Sequence, residues 1–194
     1  MTFILDGKGR GYQAEVDTDN RLRISGIQET TYDFAGIQGK SFNINTEFVS
    51  VTSSAETNLL YVQNNEATDI VIVGWFIGTG LASGSATEVG LVRVYPNPTG
   101  VSGGASTEVV NRKIGDGRIF NITATKQDSG SPLLATPPST PVLYQTQAAN
   151  SRVFGNVYLT LPRSQALLVT YEPNGVEPIN IYTGFTGFIS INGA

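Results

Sequence analysis

The chain has 194 residues, a formal net charge of −4 and only 14% charged residues. It contains no cysteine and no histidine, which excludes disulfides, thiolate metal sites and histidine-activated nucleophiles. An acidic chain with few, scattered cations is a poor binder of nucleic acid or of anionic membranes. We therefore expect neither nucleic acid nor a membrane among its partners.

No targeting segment is evident at the start of the chain. The sequence MTFILDGKGRG lacks the charged region and the long apolar region that define a signal peptide. The longest apolar run is also far short of the roughly 20 residues that cross a bilayer. Many glycines (22 in all) with few lysines and glutamates argue against long helices.

Residues 1–30 predict an N-terminal β-hairpin. Ala14 and Val16 alternate with polar residues, as do Leu22 and Ile24, and this period of two places one apolar stripe on one face. The polar stretch DTDN between the two runs has the residues of a turn. A unit this short, polar on one side, is expected to dock on something larger.

The rest of the chain, 40–194, is predicted to be one body organised around Asn58–Gly78. Two runs of aliphatic, aromatic and β-branched residues there flank a polar break, which is the pattern of two joined strands. The second run, Ile70–Ile77, is almost entirely apolar and predicts a central strand buried on both faces. On this interpretation Trp75 and Phe76 are both core residues.

Further strands and turns follow without any amphipathic helical window. Asp116-Gly117 is a plausible hairpin turn, and the Pro-rich stretch 127–141 is predicted to be a long exposed loop or an arm reaching a neighbour. The chain is therefore predicted to be all-β: an antiparallel β-sandwich, jelly-roll-like, with a short N-terminal hairpin. The remaining predicted strands or strand pairs lie within 42–52, 86–95, 109–125, 153–161, 166–171 and 179–191.

Two glycine-containing segments resemble phosphate-binding loops only superficially. Gln38-Gly39-Lys40-Ser41 ends like a P-loop, but the position that requires the first glycine is Phe34, and no strand-then-helix context is visible. The lead-in Gly7–Gly11 lacks the GxGxxG spacing because position 12 is tyrosine. An ordinary turn and a flexible lead-in are the favoured interpretations.

The oxygen-rich segments also favour structural interpretations. Asp17–Asn20 has alternate carboxylates suited to Ca²⁺, but Arg21 and Leu22 stand where further ligands are needed. Asn121-Ile122-Thr123 matches a glycosylation acceptor, which matters only in a secreted protein. A catalytic carboxylate pair is not excluded by spacing, although solvated charge is the default for Glu15, Asp17, Asp19, Glu29, Glu56, Glu66 and Asp69.

We therefore predict no catalytic, cofactor-binding or metal-binding residue and no cofactor. Exposed tyrosines stack sugars or line protein interfaces, and the sequence alone does not separate exposed from buried ones. The tyrosines in question are Tyr12, Tyr32, Tyr61, Tyr144, Tyr158 and Tyr182.

Three segments, taken together, resemble a group of bacteriophage virion structural proteins. They are the N-terminal GKGRGYQAEVDTDNRLRI, the central NLLYVQNNEATDIVIVGWFIG followed by RVYPNPTG, and LTLPRSQALLVTYEPN near the C-terminus. These are strand-and-turn patterns spread over about two thirds of the length, and none of them is a chemical signature.

The resemblance implies a jelly-roll-like head decoration or cement protein, often trimeric, fixed to the outer capsid lattice. On this hypothesis the chain is not an enzyme, its partners are the major capsid protein and its own copies, and it resides on the virion after synthesis in the host cytoplasm. The hairpin 1–30 anchors the molecule, and the body forms the contacts between copies.

Two rival hypotheses remain. The first is a tail-fibre, baseplate or receptor-binding component with a lectin-like sandwich, in which tyrosines and the loops 97–106 and 127–141 contact host glycans. The second is a carbohydrate-active enzyme that uses two carboxylates.

Overall fold

The computed structural model describes residues 3–5, 13–16, 22–24, 35–51, 55–81, 89–148, 151–174 and 179–190. Apart from a single helical turn at 35–37, the regular structure of these residues is β. The strands are β1 (Phe3–Leu5), β2 (Gln13–Val16), β3 (Leu22–Ile24), β4 (Ser41–Asn45), β5 (Val49–Val51), β6 (Thr57–Asn64), β7 (Ile70–Leu81), β8 (Val89–Pro96), β9 (Thr99–Ser102), β10 (Ala105–Ser106), β11 (Val109–Asn111), β12 (Ile122–Lys126), β13 (Leu134–Thr136), β14 (Leu143–Ala148), β15 (Arg152–Leu161), β16 (Ala166–Pro173) and β17 (Ile179–Ile189).

The chain divides into two compact units, 1–31 and 32–194. The first contains a three-stranded antiparallel sheet in the order β1-β2-β3. Its register places Ala14 opposite Ile24 and Glu15 opposite Arg23. The DTDN turn, with its possible Ca²⁺ ligands, lies outside the described residues.

The second unit is a sandwich of two antiparallel sheets. Sheet I has the order β11-β4-β17-β7-β15, with β5 also paired to β17, and sheet II has the order β10-β12-β6-β16-β8-β14. The prediction of an all-β antiparallel sandwich is thus confirmed. Between the sheets lies one core to which both contribute, and its largest fully buried side chains are Phe42, Ile44, Leu59, Leu60, Ile70, Ile72, Ile77, Leu168, Tyr171, Ile179, Ile181 and Phe185.

The strand order is that of a jelly roll. Four antiparallel pairs are nested inside one another: β4 with β17, β6 with β16, β7 with β15, and β8 with β14. Alternate pairs lie in opposite sheets, which gives the two interleaved four-stranded sheets of a double Greek key. The innermost pair, β8–β14, is interrupted by an insertion, residues 97–142, that carries β9 to β13.

The insertion changes two of the local predictions. Asp116-Gly117 is not a hairpin turn, because β11 pairs with β4 in sheet I whereas β12 pairs with β6 in sheet II. The Pro-rich segment 127–141 contains β13, which pairs with β9 and folds back on the same chain. Backbone hydrogen bonding within the insertion and to the sheet edges accounts for both departures.

Candidate interaction surface

The candidate phosphate-binding and glycosylation motifs that lie within the described residues have structural roles. At Gln38–Ser41 a helical turn precedes the segment and β4 follows it, which is the reverse of the strand-then-helix order of a P-loop. The amide of Asn121 donates a 2.7 Å hydrogen bond to the backbone oxygen of Asn65, so it ties the insertion to the end of β6. No group of three acidic, histidine or cysteine residues that could hold a metal occurs in the described part of the chain.

Two carboxylates, those of Glu56 and Glu172, do come together, although their separation in the sequence could not predict it. On the outer side of sheet II, the guanidinium of Arg93 lies 3.1 Å from Glu56 and 2.6 Å from Glu172, and the hydroxyl of Thr170 donates to Glu56. Burial lowers the pKa of Arg93, but the hydrogen bond to Glu172 and the charge of Glu56 outweigh it and leave this pKa raised. The cation shared by the two carboxylates makes the cluster an ion-pair network within the sheet.

The outer face of sheet I carries a continuous group of aromatic rings. Strand alternation places Trp75 in the core, with its indole N–H donating to Thr183 Oγ1 at 3.0 Å. Phe76 therefore points to the opposite face, and the expectation that it is a core residue is wrong. The ring of Phe76 stacks on Phe154 with centroids 5.5 Å apart and approaches Tyr182 at 6.2 Å.

Phe48 extends this group, because its ring packs edge-on against Tyr182 with centroids 5.0 Å apart. Tyr158, on the same side of β15 as Phe154, stands further along the strand. We call these five side chains the aromatic face: Phe48, Phe76, Phe154, Tyr158 and Tyr182.

Glycines on neighbouring strands let the central rings lie flat on the sheet. A Cβ on Gly78 would meet the Tyr182 ring at 2.3 Å, and a Cβ on Gly184 would meet the Phe76 ring at 2.4 Å. A ring that covers a glycine in a neighbouring strand shields backbone that the missing side chain leaves bare. Gly78 of β7, which the Tyr182 ring covers, is the feature of the sequence that marks this face.

Much of the aromatic face is open to solvent. Phe48 is 64% exposed, Phe154 78% and Tyr158 83%, whereas a soluble protein normally scatters large exposed hydrophobics singly. Within the described parts of β4, β5, β7, β15 and β17, the one charged residue at an outward position is Arg152, whose guanidinium lies 6.0 Å from the Tyr182 ring. An exposed aromatic surface with little charge has the composition of the centre of a protein interface.

The outer face of sheet II has a comparable set of apolar side chains, but here the chain covers them itself. Tyr61, Tyr95, Ala166 and Leu168 form a second buried cluster with Leu133, against which Val101 and Ala135 of β9 and β13 pack. Desolvation by this burial raises the pKa of Tyr61, and burial followed by the nearby Glu56 charge raises that of Tyr95.

One side chain fixes the cover in place. The amide nitrogen of Asn58, in β6, donates to the backbone oxygens of Leu133 and Ala135, each at 3.1 Å. Leu133 directly precedes β13 and Ala135 lies within it, so a single amide holds the start of that strand on sheet II. The aromatic face of sheet I has no equivalent cover among the described residues.

A second apolar feature is the loop that joins β11 to β12. Ile114 and Ile119 are 100% and 92% exposed, and they flank a shallow groove of about 460 Å³. Arg118 lies 5.5 Å from the Phe120 ring at the base of the loop, and Phe120 packs edge-on against Phe42 of the core at 5.5 Å. The base of the loop is thus anchored while its two isoleucines face solvent.

The tyrosines divide between the two faces. Tyr61 is buried, Tyr182 is half-buried in the aromatic face, and Tyr144 and Tyr158 are exposed. Tyr12 and Tyr32 lie outside the described residues, as do Asp17, Asp19 and Glu29.

No helix among the described residues is long and apolar enough to cross a membrane. No protein-family model matches the chain, and no curated protein or solved structure matches it either. The function of the chain must therefore be inferred from its own fold and surfaces, of which the aromatic face is the most prominent candidate for an interaction site.

Proposed function

We propose that the chain is a non-enzymatic structural protein of a bacteriophage particle, a capsid decoration or cement protein that binds and stabilises the shell of the major capsid protein. It acts as a homo-oligomer, a trimer on the resemblance stated above, on the outer surface of the capsid after synthesis in the host cytoplasm. The observation that carries this proposal is the exposed aromatic face, which is a surface suited to a protein partner.

The fold supports the proposal by analogy. Jelly rolls of two interleaved sheets recur in viral capsid domains and also in lectins and cupins, so the architecture is compatible with a particle protein without specifying one. A decoration protein needs two kinds of contact, one with the lattice and one with its own copies. The small N-terminal sheet, β1-β2-β3, and the sandwich are two compact units that can divide these tasks.

The division of tasks can be tested by truncation. Deleting residues 1–26 is expected to abolish binding to capsid shells while the sandwich, which starts after residue 32, stays folded. Cosedimentation of the purified protein with shells that lack it measures the binding, and circular dichroism with thermal unfolding checks the fold. A truncated chain that binds shells as tightly as the intact one would show that the anchor lies elsewhere.

A second candidate function, a receptor-binding component of the phage tail or baseplate, is favoured by one observation. Tyr144, Phe154 and Tyr158 are each at least 75% exposed, and exposed aromatic rings stack on the apolar faces of sugars. Binding of the intact chain to a glycan array, lost on Tyr144→Ala or Tyr158→Ala, would favour this function over capsid decoration. The loops named for it, 97–106 and 127–141, contain β9 and β13, which cover sheet II.

A further inference from the structure

The aromatic face lies on a surface of the size that one protein interface needs. Sheet I has five strands in its main order, and β15 is ten residues long. With strands about 4.8 Å apart and about 3.3 Å of rise per residue, the face measures roughly 19 by 33 Å, or roughly 600 Å² in projection. A standard interface buries about 800 Å² of accessible surface on each partner, and protruding rings make accessible area larger than projected area.

The charge of this face also suits a particular partner. The chain as a whole carries a net charge of −4, so two copies repel one another at most orientations. The outward positions of sheet I are an exception, since Arg152 is the one charge among those described and it rests against Tyr182. Two copies that meet through this face bring together aromatic rings, amides and hydroxyls with little like-charge repulsion.

Shape points the same way. Gly78 and Gly184 let the Tyr182 and Phe76 rings lie close to the sheet, and two β-sheets pack about 10 Å apart through interdigitating side chains. Sheet II shows the same solution inside one chain, because β9 and β13 close over Tyr61 and Tyr95. On sheet I the described residues provide no equivalent cover, and a second molecule can shield these rings.

We infer that the aromatic face packs against a second copy of this chain. This inference rests on the proposed function, because it names the partner that binds the aromatic face. Attachment to the capsid shell is then left to other parts of the molecule. The rings with most area to bury, Phe154 and Tyr158, are the expected centre of the contact.

Sedimentation of the full-length chain over a wide dilution series tests the inference. We expect an oligomer that dissociates on dilution, and the double substitution Phe154→Ser with Tyr158→Ser should raise its dissociation constant by about thirtyfold or more, as the loss of an interface hot spot does. Tyr144→Ser is the matched control, since Tyr144 is 75% exposed but lies on β14 of the other sheet. It should leave the dissociation constant unchanged.

The absence of cysteine from the chain allows a second, independent measurement. In the variant Asn156→Cys the new thiol stands between Phe154 and Tyr158 on the exposed side of β15, and any cross-link by a short bis-maleimide must join two molecules. We expect cross-linked pairs from this variant and none above background from Thr146→Cys, whose thiol is exposed on β14.

The possible outcomes separate this inference from the proposed function. If the double variant Phe154→Ser with Tyr158→Ser dissociates the oligomer, but the intact oligomer does not bind capsid shells, the inference is supported and the proposed function is wrong. A chain that stays monomeric at every concentration overturns the inference, even if it binds shells. A monomer whose face variant loses binding to a glycan array overturns it in favour of a sugar, and cross-linking from Thr146→Cys alone places the contact on the other sheet.

Discussion

The two outer faces of the sandwich carry similar aromatic side chains but differ in how far those side chains are exposed. On sheet II, Tyr61 and Tyr95 are at most 9% exposed because the insertion folds over them. On sheet I, Phe154 and Tyr158 are at least 78% exposed. The difference teaches that an apolar outer face does not by itself identify a binding surface, because the chain uses one such face to hold its own insertion. What distinguishes the aromatic face is the lack of an equivalent cover among the described residues.

The largest expected effect contrasts one residue from each face. Leu168 is fully buried under the insertion, so Leu168→Ala should lower the free energy of unfolding by about 2–5 kcal/mol through lost transfer energy and a residual cavity. Tyr158→Ala, on the exposed face, should change the stability of the monomer by less than about 0.5 kcal/mol. Chemical denaturation at a concentration where the chain is monomeric measures both, and equal losses would abolish the distinction between the faces.

The next effect concerns the flat support of the rings. A Cβ on Gly184 would lie 2.1 Å from the backbone oxygen of Ile44 and 2.4 Å from the Phe76 ring, so Gly184→Ala should destabilise the fold by about 1–3 kcal/mol. Gly155, in β15, is the matched control, because its nearest neighbour to a new Cβ is 3.9 Å away. Gly155→Ala should be neutral or mildly stabilising, and thermal unfolding of the two variants makes the comparison.

A smaller effect is expected from the clamp on the cover. Asn58→Ala removes two hydrogen bonds and leaves the carbonyls of Leu133 and Ala135 without this donor, which should cost about 1–2 kcal/mol. Because the loss is local, amide hydrogen exchange in β9 and β13 should accelerate before that of the core strands. Asn43→Ala, at an exposed position of β4, is the control, and uniform acceleration in both variants would contradict the role given to Asn58.

The smallest effect is a pH dependence confined to sheet II. The pKa values of Tyr61 and Tyr95 are raised, first by burial, so the folded state favours the neutral phenol. Their contribution to stability is present below the ordinary pKa of about 10 and is lost as the pH rises through the higher folded values. Urea denaturation between neutral pH and about pH 11 should show this decline, and Tyr61→Phe should reduce it.

Most of the fold could be predicted from the sequence because strands and turns are local. The β-branched and aromatic runs, the Gly and Pro breaks and the absence of helical periodicity identified an all-β sandwich, and the structure confirms it. The pairing of β11 and β12 with different sheets could not be predicted in this way, since it depends on strand edges that are distant in sequence.

The candidate surface was harder to predict because one residue of a continuous apolar run can face either way. The apolar run Ile70–Ile77 predicts burial on both faces, yet its outer face is only partly covered and includes Phe76. Gly78 of β7 is the local sign of this face, because the Tyr182 ring of β17 lies across it. The bridge from Arg93 to Glu56 and Glu172 joins three strands or turns that no sequence spacing relates.

The insertion also determines how the sandwich resists being pulled apart. Within residues 97–142, β11 pairs with β4 of sheet I and β12 pairs with β6 of sheet II. A few residues of chain join β10, which belongs to sheet II, to β11. The opposite flank is bridged as well, because three residues of chain join β14, at the edge of sheet II, to β15, at the edge of sheet I. There the hydroxyl of Thr79, in β7, also donates to the backbone oxygen of Ala148 at 2.7 Å. A force that separates the two sheets therefore meets a short chain connection at both flanks.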